Sequence, residues 1–146
     1  MSNPPKIQSS HAILLLSDRY VLQLRDDIPT IADPGKWTLF GGLLNEGEDP
    51  LIGVRREVFE ELSIKPLEYK PLWFEDCYAP FEKEVVRAWF FEADISEVWG
   101  AHQLKEGREV KAFKFEELST IIMPSVMKIA LRRHHNELIE KGKDIT

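Results

Sequence analysis

The apolar residues of this chain fall into short strand-length runs and two longer stretches with helical spacing. HAILLLS (11–17) is a continuous apolar run, predicted as a buried strand. Asp18-Arg19 separates it from YVLQLRD (20–26), where Val21 and Leu22 begin a second strand, so the two read as a hairpin. DIPTIADPGK (27–36), with two prolines and a glycine, reads as a loop, and WTLF (37–40) as a brief strand entering Gly41-Gly42. Asp49-Pro50 then opens a helix, Asp49 as cap and Pro50 in the first helical position. At about 100° per residue, Leu51, Val54, Val58 and Leu62 share one face. The helix is expected to end near Ser63, before Pro66.

Beyond it, segments 67–79 and 84–95 are rich in aromatic and β-branched residues and read as two long strands. A loop through Gly100 and Gly107 leads to a strand at 110–115 and a short helix at 116–120. Ser125, after Pro124, begins a final helix with Val126, Ile129, Ala130 and Leu138 as the expected core stripe. Strands interrupted by one helix and closed by another give a mixed α/β sandwich, without a repeating βαβ series. With 146 residues, a single domain spanning 1–146 is expected.

Composition narrows the function. Hydrophobic residues make up 43% and charged residues 30%, which is globular. A net charge of −6 disfavours nucleic acid or an anionic membrane as partner. The single cysteine, Cys77, excludes an internal disulfide and reads as a small buried hydrophobe. No apolar run approaches the roughly 20 residues of a membrane span, and the first ten residues lack a signal-peptide centre. A cytoplasmic protein is the expectation. Its oligomeric state is open, a homodimer included.

The chemistry gathers on the first helix. Glu57, Glu60 and Glu61 occupy an arc of about 100° largely separate from the apolar face. Like charges at this spacing repel by a few tenths of a kcal/mol per pair. One resolution is a solvated face; the other is a hard divalent cation, which takes several oxygen ligands.

Residues 42–64 resemble the signature of the Nudix hydrolases: glycine, five residues, Glu, seven residues, then Arg-Glu-U-x-Glu-Glu-x-Gly-U, with U a bulky aliphatic. Gly42, Glu48, Arg56, Glu57, Val58, Glu60, Glu61 and Ile64 fall in place, and Ser63 stands where the family has glycine. The six charged or glycine matches would coincide by chance at on the order of one in ten million starting positions. The resemblance implies an α/β/α sandwich with a mixed sheet, one central catalytic helix and a C-terminal helix. It implies a hydrolase that cleaves the pyrophosphate bond of a nucleoside diphosphate linked to another moiety, with Mg²⁺, or Mn²⁺, as cofactor. Carried onto this sequence, Glu57, Glu60 and Glu61 become metal ligands or the base, and Gly41 the donor of a backbone carbonyl. Glu48 and Arg56 match positions that brace loop and helix by ion pairing. The family's base also varies in position, and Glu106 in LKEGREVKAF is the first choice outside the signature.

For the substrate, nucleotide sugars, nucleoside triphosphates and ADP-ribose are not separable from the chain alone. Arg25 could meet a phosphate through two hydrogen bonds. Trp37 or Trp73 could stack on a base, or pack in the core. Arg87, in a predicted strand, could face the cleft or solvent. His134-His135 reads as a solvated polar face. Two alternatives stand beside the enzyme: a Nudix-fold nucleotide-binding or regulatory module without catalysis, whose mark would be missing glutamates, and an inactive protein with an acidic helix.

Overall fold

A computed structural model describes residues 3–144. The expected hairpin is present as β1 (Ile7–Leu16) and β2 (Arg19–Leu24), antiparallel with Leu14 opposite Val21. After the 27–36 loop come β3 (Trp37–Thr38) and β4 (Phe40–Leu43), then the helix α1 (Pro50–Leu62). β5 (Lys70–Ala79) and β6 (Glu84–Asp94) are the two long strands, and β7 (Glu109–Phe113) precedes a 3-10 turn at Phe115–Thr120. The last element is α2 (Ser125–Asp144).

Among the described residues, seven strands join one mixed sheet, with the path β3-β2-β1-β6-β5. β1 lies parallel to β6 along one edge, from Ile7 opposite Val86 to Leu15 opposite Asp94. Its other edge is divided: β4 pairs with residues Ser9 to Ala12, β2 with Leu14 to Leu16. This division brings the Gly41-Gly42 segment beside the N-terminal half of β1.

Period-two alternation gives the sheet two apolar faces. Ala12 and Leu14 of β1, with Phe40 and Phe91, pack under Val54, Val58 and Leu62 of α1. Ile13 of the same strand points the other way, with Leu22, Leu39 and Phe90, under Met127, Ala130 and Leu131 of α2. The result is the expected α/β/α sandwich. Among the described residues no helix is long and apolar enough to cross a membrane.

α2 corrects the expected stripe. Met127, Ala130, Leu131 and His134 are buried, whereas Ile129 and Leu138 are exposed. The helix is rotated by about one residue because its polar anchor is internal. His134 Nδ1 meets the Tyr20 hydroxyl at 2.8 Å and its Nε2 meets Glu92 Oε1 at 2.6 Å. His134 is therefore no part of a solvated face, while its neighbour His135 stacks on Phe115. Cys77 is a second correction, because it is only partly buried. Arg87 turns to Asp76 of the adjacent strand, with an Nε–Oδ1 distance of 2.8 Å.

Candidate active site

α1 begins and ends on distinct chemistry. Asp49 Oδ1 accepts from Leu51 N at 2.9 Å, and Pro50 occupies the first turn, where its missing N–H costs nothing. Gly53 lets Leu44 lie against the helix, since a Cβ there would sit 2.2 Å from Leu44 Cδ2. At the far end Ser63 adopts the left-handed conformation, φ 59° and ψ 29°, with its N–H donating to Phe59 O.

The carboxylates of α1 and of the loop before it divide into three environments. Glu48, in the preceding loop, takes two hydrogen bonds from Arg56: Nε to Oε2 and Nη2 to Oε1, both 2.8 Å. Those bonds, with the backbone N–H of Asn45, hold the Glu48 carboxyl down to about 2. This is the brace expected of the pair. The remaining nitrogen, Arg56 Nη1, donates to Glu57 at 3.0 Å and Glu60 at 3.3 Å, offsetting their repulsion. Glu57 rests on the backbone at Gly42, where any Cβ would come within 2.8 Å of its carboxylate. Burial raises the Glu57 carboxyl against the pull of Arg56, and Glu60 and Glu106 raise it further.

Glu61 points inward and is 1% exposed. Gly41 N donates to its Oε1 at 2.9 Å and Gln23 Nε2 to its Oε2 at 2.7 Å. Burial outweighs these bonds, and with the Glu57 and Glu106 charges it pushes the carboxyl up to about 8. Gln23 was not anticipated; its signal is an amide between Leu22 and Leu24 in an apolar strand. Glu106 reaches this neighbourhood because its loop is tied to the end of α1. Gln103 N donates to Leu62 O at 3.0 Å, and Lys105 N to Glu61 O at 2.8 Å. The four glutamates thus share one electrostatic neighbourhood, but not one point. No group of three or more acidic, His or Cys side chains among the described residues stands as a formed metal cluster. Arg56 ties Glu57 to Glu60, while Gly41 and Gln23 hold Glu61.

On the α2 side of the sheet, Gly41 and Gly42 also line a cavity of about 410 Å³. Ser9, His11, Thr38, Leu39, Val86 and Met127 contribute to its walls, and loop residues 30–33 cover one side. Arg25 belongs to the lining and is steadied by its Nε donating to Ala32 O at 2.7 Å. Trp37 is not among the lining residues; its ring packs edge-on against Phe113, 4.9 Å between centroids. Trp73 packs beneath Arg133 instead. The expected base-stacking role finds neither tryptophan in the cavity, since both rings serve the core below α2.

Residues 6–140 match the NUDIX domain family. The chain belongs to the Nudix hydrolases. In class it is a Nudix pyrophosphohydrolase, with every glutamate of the signature present. Solved structures share the fold at low identity. The NUDIX domain of Shewanella oneidensis NrtR, complexed with ADP ribose, is 17% identical, with 93% of this chain and 90% of that one covered and a TM-score of 0.76. A MutT protein from Methanosarcina mazei is 24% identical over 94% and 98%, TM-score 0.74. A C. elegans Ap4A hydrolase is 19% identical over 90% and 98%, TM-score 0.69. No curated protein sequence matches the chain.

Within this Nudix box, Ser63 stands where the family's signature has glycine and holds a left-handed backbone, a conformation suited to glycine. α1 and the cavity meet at the Gly41-Gly42 backbone.

Proposed function

We propose that the chain hydrolyses the pyrophosphate bond of a nucleoside diphosphate linked to another moiety, using a divalent cation, Mg²⁺ or Mn²⁺. The observation that carries this reading is Glu61, a buried carboxylate fixed at the junction of acidic helix and cavity. A carboxyl pushed up to about 8 by burial and by neighbouring glutamates is a group short of positive charge. The donor set fits a hard cation, being all oxygen. Glu57 lies where a Gly42 side chain would stand, so the missing Cβ lets its carboxylate rest directly on the backbone there.

Glu57, Glu60, Glu61 and the Gly41 carbonyl would hold the cation, and Arg56 can release its Nη1 while the two bonds to Glu48 keep it seated. When bound, the cation supplies charge neutralisation on the diphosphate and lowers the pKa of water. The chain's own part is positional. Glu106 is set to accept a proton from attacking water, and Arg25 to donate hydrogen bonds to a phosphate near the cavity. In-line attack then needs only that the phosphate lie across Gly41-Gly42. The ADP ribose bound by the S. oneidensis domain, and the Ap4A hydrolase activity of the C. elegans protein, support a nucleoside diphosphate as the common unit.

Hydrolysis should require the added cation and stop on exhaustive chelation. Mg²⁺ should also raise the melting temperature of the wild type, because binding to the native state alone stabilises it by mass action. Turnover that survives chelation contradicts the proposal. Replacing Glu106 by Gln should lower kcat while leaving the Mg²⁺-induced melting shift in place.

A further inference from the structure

Gln23 is a polar residue where the strand pattern calls for an apolar one. It follows Val21 by two positions on β2, so its side chain faces α1, and it is 1% exposed. A buried amide is costly unless its hydrogen bonds are met. The bond it makes is to Glu61, with Nε2 donating to Oε2 at 2.7 Å. Gly41 N donates to the other oxygen, Oε1, at 2.9 Å. These two donors belong to different strands, β2 and β4, which share one edge of β1 and part company at Ile13. Glu61 joins them at that fork. The far end of the amide is confined as well. Gly107 has φ 85°, and a Cβ on it would lie 3.0 Å from Gln23 Oε1 and 2.9 Å from Leu24 O. Arg108 N donates to Leu24 O and Lys105 N to Glu61 O, both at 2.8 Å, so the loop that carries Glu106 is fastened to β2 and to α1.

Resting on the metal-dependent pyrophosphohydrolase reading, we infer that Gln23 is a positioning residue, which holds the Glu61 carboxylate in the orientation that receives the divalent cation. An ionised carboxylate has about four lone-pair sites on its two oxygens. Gln23 and Gly41 N take one on each oxygen and leave the rest uncommitted. Both donors are anchored in strands, so together they set the plane of the carboxylate. Gly41 N alone would fix one oxygen and let the group swing about it. The donor must also be neutral. A lysine or arginine at this site would compete with the cation for Glu61, whereas an amide orients the carboxylate and leaves its charge available. A valine or leucine, the ordinary occupant of such a strand position, would leave Oε2 without a partner. Gly107 supplies the last constraint, because its close approach confines Oε1 while Glu61 requires a donor, and so Nε2 faces Glu61.

Melts at increasing Mg²⁺ test this through binding, without turnover. Gln23→Met keeps the length and volume of the side chain and removes its donor. The Mg²⁺ concentration that gives a fixed rise in melting temperature should increase about tenfold or more, the loss typical when a group orienting a metal ligand is removed. Gln23→Asn retains the amide but draws it back from Glu61, and should show a similar loss. Glu61→Gln should weaken Mg²⁺ binding too, and adding Gln23→Met to it should weaken binding no further, because Gln23 acts through Glu61. A merely structural glutamine would lower the melting temperature of the metal-free variants and leave their Mg²⁺ response as in wild type; that result overturns the inference. So does a further loss of about tenfold in the Glu61→Gln background. A wild type with no Mg²⁺ response contradicts the metal-dependent reading itself and takes the inference with it, whereas a wild-type response shared unchanged by both Gln23 variants overturns the inference alone.

Discussion

Single residues carry two of the sharper consequences. Ser63 holds φ 59°, where a Cβ is disfavoured by about 1 kcal/mol. Ser63→Gly should therefore stabilise the protein or be neutral, the relief set against glycine's greater unfolded-state entropy. Denaturant midpoints with an unchanged slope measure it, and a clear loss would contradict the conformation. Glu61 gives a pH dependence. Its folded carboxyl, pushed up to about 8, holds a proton that the unfolded chain releases near ~4.3. Its contribution to stability is present below that unfolded value and is lost as pH rises toward 8. His11, pushed down to about 4, acts in the opposite sense below ~6.5. The interval from roughly pH 6.5 to 8 thus isolates Glu61 from His11. Melts of metal-free protein should fall in temperature across it, and Glu61→Gln should fall less. An equal fall in both proteins would deny Glu61 its raised pKa.

At the scale of elements, legibility followed how local each determinant is. α1 could be read because its cap at Asp49, its Pro50 and its stripe of Val54, Val58 and Leu62 all lie within one stretch of chain. α2 was misread because its orientation is fixed by Tyr20 and Glu92, distant in sequence from His134. Its apolar spacing alone tolerates a rotation that exchanges Ile129 for Met127. The parallel pairing of β1 with β6 is equally invisible locally, since nothing near Ile7 announces Val86. The α2 anchor makes a quantitative claim. His134→Phe leaves the Tyr20 hydroxyl unpaired inside the protein and should cost about 1–3 kcal/mol in denaturant stability. Adding Tyr20→Phe should recover part of that loss, so the double variant is less destabilised than the sum. Strict additivity would mean that the contact contributes nothing.

For the whole molecule, the sandwich places the acidic helix and the cavity on opposite faces of one sheet and joins them at Gly41-Gly42. The Nudix box marked the chemical half in the sequence through Gly42, Glu48, Arg56 and its glutamates. It did not show that Arg56 neutralises Glu57 and Glu60, nor that Gln23 and Gly41 hold Glu61, because those contacts depend on the closed sheet. The cavity was less legible still, because β1, β4, β5, β6, the 30–33 loop and α2 all contribute to its lining and meet only in the closed sheet. The central claim is that this acidic helix is a hydrolytic centre. Steady-state turnover of a nucleoside diphosphate derivative at saturating Mg²⁺, in wild type, Glu60→Gln and Glu61→Gln, tests it most directly. Each variant should lose at least about a hundredfold in kcat with an unchanged far-UV spectrum, since charge that holds the metal is removed while shape is kept. Near-normal turnover in both variants would contradict it.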